Sequence, residues 1–332
     1  MPDLRRDPIV GRWVIISTER NARPKDFIPV QAARPLAAAL CPFCPGQERL
    51  TPKEIMAYRP QPLEPNSPNW TVRVVPNKFP ALQVEGDLDR QGLGLYDRMN
   101  GIGAHEVIIE TPNHADSLAD MPAKRIEDVL WAYRDRMIDL KKDVRFRYIL
   151  IFKNHGASAG ATLEHSHSQL IALPIIPTSV HEEIEGCRTH YEQKERCIYC
   201  DIIRRECELG HRLVLESEFF LALCPYAPRF GYETWIVPKN HAPRFERERD
   251  IAAFAETLRA VIVKLNGVTD NAPFNYGIHS ASAEESAEEH CHWHMEILPQ
   301  MTRAAGFEWG TGAHMNSMAP EDAARLLRNV PV

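Results

Sequence analysis

One set of cysteines and histidines occurs twice in this chain, in the same order and at the same spacing, which restricts the fold to two related halves. The first copy is Cys41-Pro42-Phe43-Cys44, then Asn113-His114, then His165-Ser166-His167-Ser168-Gln169. The second is Cys197-Ile198-Tyr199-Cys200, then Asn240-His241, then His292-Trp293-His294-Met295-Glu296. The lone histidine precedes the paired ones by 51 residues both times (165 − 114 and 292 − 241). The lead-in also echoes, with Gly103-Ala104-His105-Glu106 and Pro112 answered by Gly231-Tyr232-Glu233 and Pro238. Such self-similarity is the signature of one unit used twice.

A lone Cys-x-x-Cys is as consistent with a buried, unmetallated turn as with a metal site. Two copies, each followed by matched histidines, favour two Cys2His2 sets, the donor chemistry that tetrahedral zinc prefers. The expected ligands are Cys41, Cys44, His114 and His165, then Cys197, Cys200, His241 and His292, with two zinc ions per chain. Cys187, Cys207, Cys224 and Cys291 read as small core residues.

At 332 residues the chain has room for about two domains. Its formal net charge of −6 argues against nucleic acid as a partner, which selects basic surfaces. It leaves open an anionic small molecule, which needs only local positive charge. Met1 to Asp7 has no apolar core of a secretory signal, and no apolar run approaches the ~18 residues of a membrane span. A cytosolic protein with reduced thiols and no membrane partner is expected.

Alternation and periodicity place the motifs. Trp13–Ser17, Thr71–Val75, His105–Glu110, Tyr148–Phe152 and His165–Leu173 read as strands. Met121–Leu140 reads as a helix with Ile126, Val129, Leu130, Tyr133 and Met137 on one face. The second half repeats the plan, with strands Phe219–Leu223, Glu233–Val237, Phe274–Ile278 and His292–Leu298 and a helix Asp250–Leu265. This order predicts an antiparallel α+β architecture. The polar stretch Pro177–Glu195 lacks strand patterning and reads as the boundary.

Side chains on a strand alternate faces, so His165, His167 and Gln169 should share one face. If His165 binds the metal, His167 stands beside it, free for chemistry. The upstream segment Asn154–Thr162 is small-residue and glycine-bearing, suited to bringing backbone N–H groups to phosphate oxygens, with Gly160 and Thr162 at its end. A neutral imidazole can attack phosphorus and split a transfer into two easier steps. Gln169 can donate to a phosphoryl oxygen without adding negative charge. In the second copy Glu296 replaces Gln169, and an acidic stretch, Ala283–Glu289, replaces the glycine-bearing loop. A carboxylate beside a phosphoryl group is repelled, so that half should keep its metal and lack the chemistry. His294 stands there as a group behind the metal or as an additional ligand.

The chain resembles the galactose-1-phosphate uridylyltransferase family of the histidine-triad superfamily. The resemblance is carried by Arg12-Trp13-Val14-Ile15-Ile16-Ser17 with Arg20 and Arg23, Cys41-x-x-Cys44, Pro76-Asn77-Lys78-Phe79-Pro80, Phe152-Lys153-Asn154-His155-Gly156, His165-x-His167-x-Gln169 and Arg303–Glu308. It implies two tandem histidine-triad-like domains with antiparallel sheets flanked by helices, over residues 1–178 and 195–332 with 179–194 as linker. It also implies ping-pong transfer of UMP from UDP-glucose to galactose 1-phosphate, with His167 as nucleophile. Gln169 and Asn154 would bind phosphoryl oxygens, and Arg20 and Arg23 the sugar phosphate. Asn77 and Phe79 would line the nucleotide pocket, and Phe307 and Glu308 the hexose site, as part of a homodimer that builds the site from both chains. Ser166 and Ser168 depart from the proline and glycine usual in the transferases' motif, and Leu163-Glu164 precede it. A branch similar to ADP-glucose phosphorylase uses this kind of motif with two Cys2His2 zinc sites and passes an adenylyl group to inorganic phosphate. A zinc-stabilised nucleotide-binding module without turnover is the reading from another class.

Overall fold

A computed structural model describes residues 3–16, 41–282, 288–302 and 305–332. The first half contributes strands β1 (Asp3–Arg6), β2 (Trp13–Ile16), β3 (Met56–Tyr58), β4 (Val72–Pro76), β5 (Gln91–Leu93), β6 (Tyr96–Arg98) and β7 (Ala104–Ile109). Helix α1 (Ala123–Leu140) and strands β8 (Tyr148–His155) and β9 (His167–Leu173) complete it. Helices α2 (Thr178–Lys194) and α3 (Ile198–Leu209) lead into β10 (Leu213–Glu216), β11 (Phe220–Leu223) and β12 (Thr234–Pro238). Then come α4 (Ile251–Thr269), β13 (Phe274–His279), β14 (His294–Pro299), α5 (Gly306–Thr311), β15 (His314–Asn316) and α6 (Pro320–Arg328).

The repeat is visible as topology. Ten strands form one sheet in the order β10-β11-β12-β14-β13-β8-β9-β7-β4-β3. Read outward from the middle, β8-β9-β7-β4-β3 mirrors β13-β14-β12-β11-β10. The halves meet where β13 pairs antiparallel with β8, Asn275 opposite Asn154 and Gly277 opposite Phe152. They therefore share a single antiparallel sheet.

One face of that sheet carries α1 and α4. Ile126, Val129, Leu130, Tyr133 and Met137 on α1 are all buried, as the periodicity predicts, and pack with Phe254, Leu258 and Ile262 of α4 over Val74, Ile108, Ile151, Leu170, Ile278 and Met295. Each such side chain is worth roughly 1.5–3 kcal/mol of apolar burial. The opposite face holds two smaller clusters, Cys41, Phe43, Trp70, Val75, Val107 and Ile109 in the first half and Cys197, Tyr199, Leu221, Leu223, Trp235 and Val237 in the second. Among the described residues no helix is long and apolar enough to cross a membrane.

Two sequence readings change. The stretch 179–194, read as a linker, lies in helix α2, which runs from the Pro177 N-cap to Glu195 in the left-handed region at φ 54°. It is pressed so closely on the N-terminal segment that a Cβ on Gly186 would lie 2.0 Å from the Ile9 carbonyl oxygen. The strand expected from His165 begins at His167, because His165 is turned to the cysteine pair just ahead of the ladder.

Candidate active site

The two Cys2His2 sets assemble as the spacing predicts. The ligand atoms of Cys41, Cys44, His114 and His165 lie within 4.8 Å of one another, as do those of Cys197, Cys200, His241 and His292. In the first set His165 Nδ1 is 3.7 Å from Cys41 Sγ and 3.6 Å from Cys44 Sγ, and His114 Nδ1 is 3.4 Å from Cys44 Sγ. In the second, His292 Nδ1 is 3.8 Å from Cys197 Sγ and 3.7 Å from Cys200 Sγ, and His241 Nδ1 is 3.6 Å from Cys200 Sγ. Metal–sulfur bonds of about 2.3 Å and metal–nitrogen bonds of about 2.0 Å give a tetrahedron with edges of roughly 3.3–3.8 Å, so both donor sets fit. The far nitrogens are already engaged: Nε2–H of His165 donates to Thr111 O (2.7 Å), of His292 to Pro238 O (2.9 Å) and of His241 to Glu288 O (2.9 Å). Those bonds fix the tautomer and leave each Nδ1 lone pair toward the thiols.

His167 lies outside the first set. Its ring is buried, edge-on to Phe43 at 5.2 Å. Nδ1–H donates to the His165 carbonyl at 2.8 Å, so the lone pair is on Nε2, which has no hydrogen-bond partner among the described residues. Burial, then the nearby positive charge of Lys153, pulls its pKa down to about 4. The ring is neutral at pH 7, the form that can act as a nucleophile.

Gln169 is oriented through His105, to which no local sequence signal points. The backbone N–H of Ala81 donates to His105 Nδ1 at 3.2 Å, which leaves the proton on Nε2. That Nε2–H donates to Gln169 Oε1 at 2.8 Å. The Gln169 carbonyl is thereby occupied, and its NH2 is the end left for a ligand. Asn154 belongs to the same face, because the β8–β9 register sets Phe152 against Gln169 and, continued by two residues, sets Asn154 against His167. Gly160, at φ 91°, lies beside it, and a Cβ there would come within 3.5 Å of Asn154 Nδ2.

Beneath the strand, Lys153 spends all three N–H donors, on Glu110 Oε2 (2.5 Å), Ser166 Oγ (3.0 Å) and the His167 carbonyl (2.9 Å). Tyr133 Oη lies 3.1 Å from Glu110 Oε1, 2.6 Å from Ser168 Oγ and 2.8 Å from Tyr276 Oη. Ser166 and Ser168 thus stand where this buried network needs hydroxyls. The lysine counters the burial penalty on Glu110 and holds its carboxyl below the usual range.

The second copy is closed. His294, the counterpart of His167, stacks on Tyr199 at 4.7 Å. Its Nε2 lies 3.3 Å from Tyr199 Oη and 3.8 Å from Glu183. Glu296, the counterpart of Gln169, pairs with Arg229 at 2.5 Å. Burial pushes Glu296 up, but Arg229 and His279 outweigh it and bring it down to about 2. His279 Nδ1 is 2.7 Å from Glu183, and Glu183, His279 and His294 form a third cluster with metal-ligand atoms. His294 therefore belongs to neither Cys2His2 set. Glu183 gave no signal in the sequence, since it sits in the stretch read as linker.

The remaining candidates scatter. Asn77 accepts the Phe79 N–H at 2.9 Å and has its Nδ2 3.1 Å from His105 Nε2, which brings it to the edge of the Gln169 cluster. Phe79 is 83% exposed and Thr162 is exposed. Phe307 and Glu308 lie on α5, where Glu308 accepts the Ala305 N–H at 2.9 Å and caps its own helix. Neither shares a hydrogen bond, ion pair or ring contact with His167, Gln169 or Asn154 among the described residues. Arg20, Arg23 and most of the acidic stretch 283–289 lie outside the described residues.

The family described as galactose-1-phosphate uridyl transferase, N-terminal domain, matches residues 1–177. The chain belongs to this family. Residues 103–330 also match a domain of unknown function. ADP-glucose phosphorylase of Arabidopsis thaliana is 35% identical over 99% of this chain and 93% of its own length. Galactose-1-phosphate uridylyltransferase of Thermotoga maritima is 32% identical over 100% and 99%. The crystal structure of an Arabidopsis thaliana ADP-glucose phosphorylase with bound ADP-glucose shares the fold at a TM-score of 0.86 and 34% identity, covering 100% of both chains. The chain is thus a nucleotidyltransferase-family protein.

Proposed function

We propose that this protein transfers a nucleotidyl group from a nucleoside diphosphate glucose to a phosphate-bearing acceptor through a covalent nucleotidyl-His167. The observation that carries the reading is the 2.8 Å bond from His167 Nδ1–H to the His165 carbonyl, which puts the lone pair of a neutral ring on Nε2. In the first step Nε2 attacks the α-phosphorus, and the bond to the bridging oxygen breaks. Glucose 1-phosphate leaves with that electron pair. In the second step an acceptor phosphate oxygen attacks the same phosphorus and Nε2 departs as a neutral imidazole. The NH2 groups of Gln169 and Asn154 donate to the non-bridging oxygens, where charge develops, and Gly160 and Thr162 line the same phosphoryl site.

ADP-glucose as donor and inorganic phosphate as acceptor is the pairing supported by the Arabidopsis relative and its TM-score of 0.86. UDP-glucose with galactose 1-phosphate is the second reading, supported by the Thermotoga relative and the family match. In either case Arg20 and Arg23 serve the sugar phosphate, Asn77 and Phe79 the nucleoside, and Phe307 and Glu308 the hexose, in a cytoplasmic homodimer. The residue blocks 1–178 and 195–332 act as a catalytic and a scaffolding half. Zinc held by each Cys2His2 set fixes the strand start beside His167 and its counterpart, and takes no part in the transfer.

Incubation with donor labelled in the α-phosphate should leave acid-labile label on the protein, absent in His167→Gly. Label from ADP-glucose but not UDP-glucose selects the first pairing, and the converse selects the second. No label from either leaves a nucleotide-binding module without turnover.

A further inference from the structure

The second half has lost its own chemistry, yet one of its side chains reaches the site of the first. Asn275 on β13 lies opposite Asn154 across the seam. Its Nδ2 donates to the backbone carbonyl of Ala159 at 2.8 Å and to Asn154 Oδ1 at 2.8 Å. The Ala159 carbonyl can only accept, so the Asn275 NH2 must face it, and the second proton of that NH2 falls to Asn154. Gln300 Nε2 donates to Asn275 Oδ1 at 2.8 Å, fixing the same orientation from the other end. The carbonyl of Asn154 is thereby occupied, and its NH2 is turned to the loop beside Gly160.

The repeat supplies a control. Aligning Gln169 with Glu296 through the β8–β9 and β13–β14 registers sets Asn154 in the place of His279 and Leu150 in the place of Asn275. Across the seam the His279 end therefore faces a leucine, which orients nothing. The amide bridge runs one way only, from the second half into the first. An amide in a strand whose counterpart is leucine is not demanded by the fold.

We propose that Asn275 is a positioning residue for nucleotidyl transfer, aiming the Asn154 NH2 at the phosphoryl group. The inference rests on His167 carrying the nucleotidyl group. The measurement is the single-turnover rate of protein labelling from ADP-glucose and UDP-glucose, with melting temperature alongside. Asn275→Leu, which places the counterpart's side chain at the seam, should slow labelling by about tenfold, the effect of losing about 1.4 kcal/mol. In an Asn154→Ala background the same change should have no further effect, since coupled residues are non-additive. Asn275→Asp, close in shape but unable to donate, should slow labelling likewise should the leucine variant not fold. Equal slowing in both backgrounds, or none in either, overturns the inference. Failure of the wild type to label with either donor overturns instead the reading on which it rests.

Discussion

His105 Nε2 lies 2.8 Å from Gln169 Oε1, and with the Ala81 N–H on Nδ1 the ring proton falls on Nε2, although the Asn77 amide nitrogen lies 3.1 Å from that same Nε2. The histidine donates, the glutamine carbonyl accepts, and the glutamine NH2 is left for a ligand. Replacing His105 by phenylalanine removes the donor and lets the amide rotate. Labelling of His167 should slow by about five- to tenfold, the usual worth of one hydrogen bond, while metal content stays unchanged. A variant that labels at the wild-type rate would show that Gln169 is held by other means.

Gln169→Glu is a harsher change of nearly the same shape. The second half carries glutamate at this position with Arg229 to neutralise it, whereas no arginine contacts Gln169 among the described residues. A carboxylate would face a negatively charged phosphoryl group, and loss of a transition-state donor costs roughly 10²–10³ in rate. Single-turnover labelling should fall by at least that much. Thermal stability should change little, because Gln169 is half-buried at the site.

Lys153 and Glu110 form a fully buried ion pair. Lys153→Met leaves the carboxylate without its charge partner and the His167 carbonyl without a donor. Breaking one side of such a pair typically costs about 3–5 kcal/mol, so the melting temperature should drop by several degrees. Adding Glu110→Gln should recover part of that loss, since the uncompensated charge is gone. No recovery would mean that the lysine acts through packing.

Metal analysis should find two zinc ions per chain. Cys41→Ser should lose one of them together with labelling, because His165 anchors the start of the strand that carries His167. Cys197→Ser should lose the other, with a larger effect on stability than on the labelling of what remains folded. A wild-type protein with one ion or none would contradict the paired ligand sets.

The His279–Glu183 contact should make stability depend on pH. Burial alone lowers the His279 pKa, but Glu183 and Glu296 outweigh it and raise it to about 9, above the ordinary 6.5. Its contribution is therefore fully present below about pH 6.5 and lost as pH rises through about 9. It also needs ionised Glu183, whose pKa is lowered overall: burial raises it, but His279 and His294 outweigh that, so the contribution persists down to the ordinary carboxylate range. A shift of this size is worth on the order of 1–3 kcal/mol. The melting-temperature gap between wild type and His279→Asn should be wide at pH 6 and narrow at pH 9.5. A gap constant over that range would mean that the imidazole is neutral throughout.

The two clusters of cysteines and histidines were legible because each was written twice, and a spacing that repeats is a geometric constraint visible without coordinates. The α1 face was legible for a similar reason, since Ile126, Val129, Leu130, Tyr133 and Met137 follow the helical period. Helix α2 was not, because its sequence is polar nearly throughout and only Val180 and Cys187 are buried along it, which leaves no stripe to read. Its glutamate, Glu183, therefore carries no sequence signal. The role of His105 is hidden in the sequence, because a strand histidine facing a glutamine 64 residues away has no local signature. The serines of the His-x-His segment read as departures from a family pattern until Lys153, Glu110 and Tyr133 supplied their partners. Leucine against asparagine at the seam becomes meaningful only once the register is known.

Pairing of β8 with β13 hides two strand edges inside one molecule. A fragment comprising the first half alone would carry His167 on a sheet whose β8 rim is bare, with Asn154 deprived of its amide neighbour. Such a fragment would be drawn to associate with a second copy of itself along that rim. In such an assembly Asn154 would meet leucine at the new junction, as His279 meets Leu150 in the intact chain, and both histidines would be poorly served. Two unlike copies can brace each other at that seam in a way that two like ones could not.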